Sequence, residues 1–521
     1  MKVINSLKKY ITIENIAITV ICFLGLFSSS RLMTDVNILP KRLFTFLALS
    51  VCIILLSIKV VIGRKIHLQP VCVSMVITIL CAMEAILALF QFGVFKMFNI
   101  PNPPTGSFDN PAGLMSSLCL SLPFALYLIY RGVHRKLCIV TILIIVCAIF
   151  ISESRTGVLA CLLCLSIWFL SYNKFPKTKI IFISIIVCAA LTVIFYNINH
   201  DSADGRMLIW RACMPLLVST PVCGYGVGAF ERLYMHAQAD YLLAFDPNSK
   251  YAMLAGQSMV PFNEYINFYL SFGLIGLLLF VGFIVLLIIA YRRNRSKIKF
   301  YALMSLGMLS FISCFSYPLV YSYSYIILII SVVFIFKGSF QFFYKKQLRI
   351  SVAIFCILVG GYAVNGLVER INSELDWGEA YRKGDIVAYG KLKQRLGNVP
   401  YFLYNYAFEL CRIGDHDLSL SIAQECSKIF SHYDLELLMG DLYLKKGDFI
   451  NAEKHYKIAA HMCPCKFVPL QSLHEVYLAS GNDEKAMSIA RIIVDKPMKV
   501  PTQSVKLIRY KMKKYLNDTG D

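Results

Sequence analysis

Four short stretches of this chain combine arginine, carboxylate, asparagine and glycine in arrangements that can bind an anion or move a proton. The first, Gly106-Ser107-Phe108-Asp109-Asn110-Pro111-Ala112-Gly113, is rich in turn formers. A helix capped by Asp109 or Asn110, with Pro111 in its first turn, accounts for it without any ligand. The second, Glu153-Ser154-Arg155-Thr156-Gly157, sits between two apolar runs with almost no loop around it. So short a hairpin limits how far Arg155 can move, which suits a fixed donor to an anion; Glu153 is the alternative partner that would neutralise it. In the third, Gly205-Arg206-Met207-Leu208-Ile209-Trp210-Arg211, residues four apart share a helix face. Arg206 and Trp210 would point together, with Arg211 about 140° around. The planar guanidinium fork binds phosphate oxygens in pairs, and an indole beside it suits a sugar or prenyl group. A glycine turn follows, Gly224-Tyr225-Gly226-Val227-Gly228-Ala229-Phe230. It is weak evidence for a phosphate loop because no strand precedes it. The fourth, Pro261-Phe262-Asn263-Glu264-Tyr265-Ile266, leads into Phe272-Gly273-Leu274-Ile275-Gly276. A carboxylate at a membrane face is costly unless used or paired, although Asn263 capping a helix with Glu264 near its positive end is the structural alternative.

The elements that must position these residues are membrane helices. With 521 residues, 57% of them hydrophobic and 16% charged, the composition excludes a purely cytosolic enzyme. A bilayer core needs roughly 20 mainly apolar residues per helix. About eleven such runs lie near Ile16 to Ser29, Leu43 to Ile62, Val71 to Phe92, Ala112 to Tyr130, Leu137 to Ile151, Gly157 to Leu170, Ile180 to Tyr196, Phe268 to Ala290, Phe300 to Ser316, Leu319 to Phe336 and Ile350 to Val364. Basic clusters at Lys2/Lys8/Lys9, Arg64/Lys65, Arg131/Arg135/Lys136, Lys174/Lys177/Lys179, Arg292/Arg293/Arg295/Lys297/Lys299 and Lys345/Lys346/Arg349 fall in alternate connections. The positive-inside rule then puts the N-terminus in the cytoplasm, with residues 197–267 and everything beyond Val364 outside. The first run lacks a small-residue cleavage site and reads as a retained span. Lys plus Arg exceed Asp plus Glu by 30 to 11 up to Val368 and by only 22 to 20 after it. The basic excess thus belongs to the loops between spans, which argues against a nucleic-acid partner. Twelve of the 18 cysteines lie inside apolar runs, where Cys packs as a small hydrophobe.

Residues 1–366 therefore read as a polytopic membrane domain and 367–521 as a second, outer domain. Within the latter, Gly384-Asp385, Gly414-Asp415, Gly447-Asp448 and Gly481-Asn482 recur at spacings of 30, 33 and 34 residues. That period suits stacked helix pairs of the tetratricopeptide kind, in which Leu437, Gly440, Tyr443, Ala452, Tyr456 and Ala459 fill large, small and aromatic packing positions. Such a solenoid presents a surface for a protein partner, or serves as a spacer packed on the membrane domain. Cys411, Cys426, Cys463 and Cys465 lack metal-ligand spacing and read as packing residues or one disulfide. Glu84, in the third run, reads as a helix-packing residue.

In order, the pieces resemble the O-antigen ligase family. These are multiple spans, then Ser154-Arg155-Thr156-Gly157, then an outer loop with Arg206, Trp210 and the glycine turn, then Asn263-Glu264-Tyr265 before Gly273-Leu274-Ile275-Gly276-Leu277. O-antigen polymerases and protein O-oligosaccharyltransferases are relatives of that family, and the resemblance spans roughly Gly106 to Leu278. It implies an all-α fold of the GT-C-like glycosyltransferase type. It also implies an inverting enzyme in the bacterial inner membrane that moves a glycan from undecaprenyl diphosphate to an acceptor hydroxyl on the periplasmic side. The acceptor would be lipid A core, a glycan or a protein, and no cofactor or metal is implied. By motif, Arg155 and Arg206 would hold the diphosphate, with Arg211, Trp210 and Asn263 in support. The family's His before the Asn is Phe262 here, so either Glu264 or another outer-loop group such as His236 removes the acceptor's proton, or the protein has lost activity. The competing readings are a lipid-linked glycan flippase, for which mid-span charges would be expected, and a non-catalytic membrane scaffold.

Overall fold

The structure, a computed structural model, describes residues 12–172, 200–246, 248–339 and 346–519. The seventh apolar run, and Lys2, Lys8, Lys9, Lys174, Lys177, Lys179 and Lys345 with it, lie outside those residues. Among the described residues the regular structure is helical, with no strand. The chain forms two compact units: Met1–Phe195, Phe262–Glu264 and Leu279–Gly378 make the first, and Tyr196–Pro261, Tyr265–Leu278 and Glu379–Asp521 the second.

The first unit contains α1 (Ile13–Phe27), α2 (Ile38–Val61), α3 (Pro70–Met97), α4 (Pro111–Arg131), α5 (Arg135–Ile151) and α6 (Arg155–Tyr172). After residues 200–261 come the long helix α7 (Glu264–Arg293), whose stretch Tyr265–Leu278 belongs to the second unit, α8 (Lys297–Ser313), a 3-10 turn (Pro318–Val320), α9 (Ser322–Phe336) and α10 (Lys346–Lys383), which passes into the second unit at Glu379. Of these, α2, α3, α4, α7 and α10 are long and apolar enough to cross a membrane, and α1, α6 and α9 are shorter apolar helices. The core is built around α4, whose residues from Gly113 to Ile129 are all buried against α3, α5, α6, α8 and α9. A helix apolar on every side belongs in the centre of a bundle, and its small residues let neighbours approach closely. A side chain at Gly113 would strike the Phe108 and Tyr321 rings, and one at Gly157 would strike Met115. Pro123 interrupts the α4 ladder, and close by the Leu120 carbonyl accepts from Ser305 Oγ at 2.7 Å.

The second unit contains α11 (His200–Val218), α12 (Ala229–Leu242) and the short α13 (Lys250–Leu254). With them cluster the repeat helices α14 (Ile386–Leu396), α15 (Pro400–Ile413), α16 (His416–Ser427), α17 (Tyr433–Lys445), α18 (Phe449–Met462), α19 (Val468–Ala479), α20 (Asp483–Asp495) and α21 (Gln503–Asp518). The repeat turn has one construction used four times. Gly384, Gly414, Gly447 and Gly481 have φ of 65°, 91°, 73° and 71°, the left-handed conformation that ends a helix. The next residue's N–H reaches back to the carbonyls of Ala380, Leu410, Tyr443 and Tyr477 at 2.8–3.1 Å. Its side chain then caps the following helix, Asp385, Asp415, Asp448 and Asn482 accepting from Ala388, Leu418, Asn451 and Lys485 at 3.0–3.2 Å. Within α17 and α18, Gly440 makes room for the Tyr456 ring, whose hydroxyl donates to Asp441 at 2.5 Å. Cys411, Cys426, Cys463 and Cys465 are free thiols.

Candidate functional site

In the first unit, the connection at 314–321 between α8 and α9 gathers the fourth sequence stretch. Glu264, the first residue of α7, accepts the Leu319 N–H on Oε1 at 2.8 Å. Asn263 Nδ2 donates to the Cys314 carbonyl at 3.2 Å. Phe262 has φ of 53°, a backbone conformation unusual for a bulky residue, and meets the Tyr317 ring edge-on at 5.2 Å. The Tyr317 hydroxyl accepts from Asn110 Nδ2 at 2.8 Å, while Asn110 Oδ1 accepts the Ala112 N–H at 2.8 Å. Of the two candidate caps in the first stretch, Asn110 is therefore the one used. Arg42 donates to the Val320 carbonyl at 3.1 Å.

Two charged groups that the sequence reading did not assign to a site sit at the same end. Lys41 is 3% exposed, donates to the carbonyls of Ser28 and Ser107 at 3.0 and 2.8 Å, and lies over the Phe108 ring at 5.5 Å. Glu84, fully buried, accepts the Ser107 N–H at 2.7 Å, so it orders this segment as well as packing between helices. A signal for Lys41 and Arg42 was available. They stand in a connection that the charge rule assigns to the outside, where basic residues are unexpected unless they are used.

The second stretch begins α6. Ser154 Oγ accepts the Gly157 N–H at 3.3 Å, Glu153 has φ of 55°, and Arg155 occupies the first helical position. A cation there faces the positive end of the helix dipole, an arrangement of strongly anion-attracting character.

In the second unit, Arg206, Trp210 and Arg211 stay together on α11, which packs against α12 and α13. The Trp210 indole N–H donates to the Pro261 carbonyl at 2.9 Å, tying α11 to the residue that precedes Phe262 in the chain. Arg211 is exposed, donates to the Tyr251 hydroxyl at 2.7 Å and stacks over that ring at 5.5 Å. Asp204 and Lys250 pair at 2.5 Å across the same two helices. His236, on α12, lies with the repeats: its Nε2 is 3.6 Å from Glu436 Oε1.

The glycine turn has a structural purpose that its sequence did not reveal. Inside α7, Gly273 adopts φ 59° and ψ −152°, which breaks the helix. The turn at 221–226 fills the break with backbone hydrogen bonds: Tyr225 N–H to Leu270, Gly226 N–H to Ser271 and Ile275 N–H to Val222, at 2.8, 3.1 and 3.2 Å. A Cβ on Gly224 would collide with the backbone of Ser271 and Phe272, and one on Gly273 with that of Pro221, Val222 and Gly224.

Taken separately, the first unit carries Arg155 and the oriented Glu264 and Asn263, and the second unit carries Arg206, Trp210, Arg211 and His236. All seven of the expected site residues fall in one segment. Residues 140–281 match the O-antigen ligase family. That match supports membrane glycan transfer of the ligase or polymerase type and, with the apolar helices, a multi-pass membrane protein. A comparison with curated proteins gives no match. Among solved structures, yeast Tom70 aligns with 84% of this chain and 97% of its own, at 11% identity and a TM-score of 0.26.

Proposed function

We propose that this protein transfers a glycan from undecaprenyl diphosphate to an acceptor hydroxyl at the periplasmic face of the bacterial inner membrane, with inversion at the anomeric carbon. The observation that carries this reading is the O-antigen ligase match across the segment that contains Arg155, Arg206, Arg211, Asn263 and Glu264. In the reaction, the acceptor oxygen attacks the anomeric carbon, the bond to the diphosphate breaks, and undecaprenyl diphosphate leaves with the bonding electrons. Negative charge grows on the leaving group, and guanidinium groups held on helices stabilise it most where it develops. Arg155 and Arg206 take that part, with Arg211 and Trp210 beside Arg206 on α11. Glu264, oriented by the Leu319 N–H, is the proposed base that removes the acceptor's proton, and Asn263 fixes the backbone next to it.

His236 is the second reading for the base, favoured by its approach to the buried Glu436 carboxylate, a partner that can orient an imidazole. The orientation of the chain, with the repeats outside, follows from the distribution of basic residues between the spans.

The test is a transfer assay in a null strain supplied with wild type, Arg155→Ala, Arg206→Ala, Glu264→Gln or His236→Ala at matched membrane levels. Loss of surface glycan with accumulation of its lipid-linked precursor is expected for the arginine variants and for Glu264→Gln. Full transfer by Arg155→Ala and Arg206→Ala would refute the diphosphate assignment. Loss in His236→Ala with retention in Glu264→Gln would move the base to α12.

A further inference from the structure

Among the described residues, hydrogen bonds join the segment 200–261 to two of the linkers between helix pairs and to residues beside them. At the first linker, the Ser431 N–H donates to the Glu231 carbonyl at 3.0 Å, and Ser431 Oγ accepts the His236 N–H at 3.2 Å. Immediately after it, the Tyr433 N–H donates to Gln257 Oε1 at 3.0 Å. At the second linker, Gln238, which is 1% exposed, donates from Nε2 to the carbonyls of Met462 and Gly256 at 2.7 and 3.1 Å. Its Oε1 accepts from the Tyr234 hydroxyl. Cys465 Sγ approaches the Ala255 carbonyl at 3.4 Å, which gives the Cys463-Pro464-Cys465 triplet a use in docking this segment. Between the two linkers α12 packs on α18, and the Glu436 carboxylate lies between His236 at 3.6 Å and His455 at 2.7 Å.

The geometry points to the repeats as a clamp acting within the chain: they fix α12, and through α12 and α13 they set the position of Arg206, Trp210 and Arg211 on α11. Gln238 and Glu436 are positioning residues in this scheme. A buried glutamine whose amide satisfies two carbonyls from different segments specifies one docking arrangement, because any shift leaves polar groups unpaired in a dry interface. Leu208 of α11, Leu242 of α12 and Ala255 form the small apolar cluster that passes the constraint from the clamped helix to the arginine-bearing one. An occupant supplied by the chain itself answers for this part of the repeat surface in place of a separate protein.

The catalytic consequence rests on the proposed glycan transfer; the docking itself does not, and the experiment separates them. Gln238→Met, which keeps length and loses both donors, and Glu436→Gln are compared with wild type and with Lys446→Ala, which removes only an exposed ion pair with Asp417 inside the repeats. Hydrogen exchange on the full chain in lipid nanodiscs reads residues 200–261 separately from α19 to α21. Transfer is followed against a titration of lipid-linked glycan. The expected result is exchange across 200–261 faster by about tenfold or more in Gln238→Met and Glu436→Gln. The kcat for transfer should fall by a similar factor, as expected when a donor to charge developing on the leaving group is displaced, with α19 to α21 unaffected and Lys446→Ala silent. Unchanged exchange in both variants overturns the clamp. Faster exchange with an unchanged kcat overturns the link to the arginines. If Arg206→Ala keeps full transfer, the reading of the active site fails instead, and the exchange result still decides the clamp.

Discussion

Gly273→Ala tests whether the glycine turn exists to fill a broken helix. At φ 59° and ψ −152° the backbone sits where only glycine is at ease, and an added methyl group would be driven into main-chain atoms of Pro221, Val222 and Gly224, which cannot rotate away. Backbone strain of this kind costs about 1–3 kcal/mol. Expelling the turn also removes three hydrogen bonds, from Tyr225, Gly226 and Ile275, each worth about 1 kcal/mol net. The sum, roughly 4–6 kcal/mol, should raise local opening by about 10³- to 10⁴-fold. Gly226→Ala is the matched control. Gly226 also has positive φ, 91°, but no atom stands within 4 Å of an added Cβ. Only the left-handed penalty of about 1–2 kcal/mol applies there. Hydrogen exchange at the three amides, measured in nanodiscs, should rank Gly273→Ala well above Gly226→Ala and wild type. Equal exchange in the two variants would refute the argument, because it would mean that steric exclusion at the break contributes nothing beyond φ.

Glu264→Gln keeps an oxygen for the Leu319 N–H and should unfold within about 1 kcal/mol of wild type, while transfer falls by about 10²-fold or more. Glu264→Ala orphans that N–H and should lose a further 1–3 kcal/mol, roughly, in thermal unfolding. Asp448→Ala, which removes the α18 cap, should destabilise the second unit by about 1 kcal/mol with no change in transfer. Burial holds the imidazoles of His432, His461 and His474 below their ordinary pKa. The unfolded chain then binds more protons than the folded one near pH 6, so stability present at pH 7.5 is lost as pH falls through the ordinary imidazole range. Calorimetry should show the second unit melting lower at pH 5.5 than at pH 7.5; an equal or higher value at pH 5.5 would show that these rings bind protons as readily in the fold.

What the sequence made legible depended on periodicity. Among the described residues the apolar runs fall on helices, five of them long and apolar enough to cross a bilayer core, and the C-terminal repeat is visible because Gly-Asp marks both the end of one helix and the cap of the next. Arg206 and Trp210 fall on one helix, α11, as their spacing requires. Features that depend on tertiary approach were not legible. Gly224 and Gly273 look like ordinary turn glycines, and nothing local says that Gly224 stands against Ser271 and Phe272, or Gly273 against Pro221, Val222 and Gly224. The fit of Gln238 between Met462 and Gly256 joins positions more than 200 residues apart. Tyr317 and Tyr321 lie at the margins of apolar runs, where tyrosine is common for reasons unrelated to a site, and Lys41 and Arg42 stand out only as basic residues in a connection that the charge rule assigns to the outside.

The first stretch, which a cap alone explained, supports the fourth. Lys41 and Glu84 are ionisable groups buried in an apolar bundle, and both bond the main chain of Ser107, whose carbonyl accepts from Lys41 Nζ and whose N–H donates to Glu84 Oε1. That fixes Phe108, whose ring meets Tyr321 edge-on at 5.3 Å, and Asn110, whose amide holds the Tyr317 hydroxyl. Tyr317 in turn carries Phe262, and the same connection supplies the Leu319 N–H and the Cys314 carbonyl to Glu264 and Asn263. Orientation at Glu264 thus descends from two buried ionisable groups on α2 and α3 through main-chain hydrogen bonds, the Asn110 amide and ring contacts. Such contacts are directional and do not swing as surface ion pairs do, which is what a carboxylate required to meet an incoming hydroxyl at hydrogen-bond distance needs.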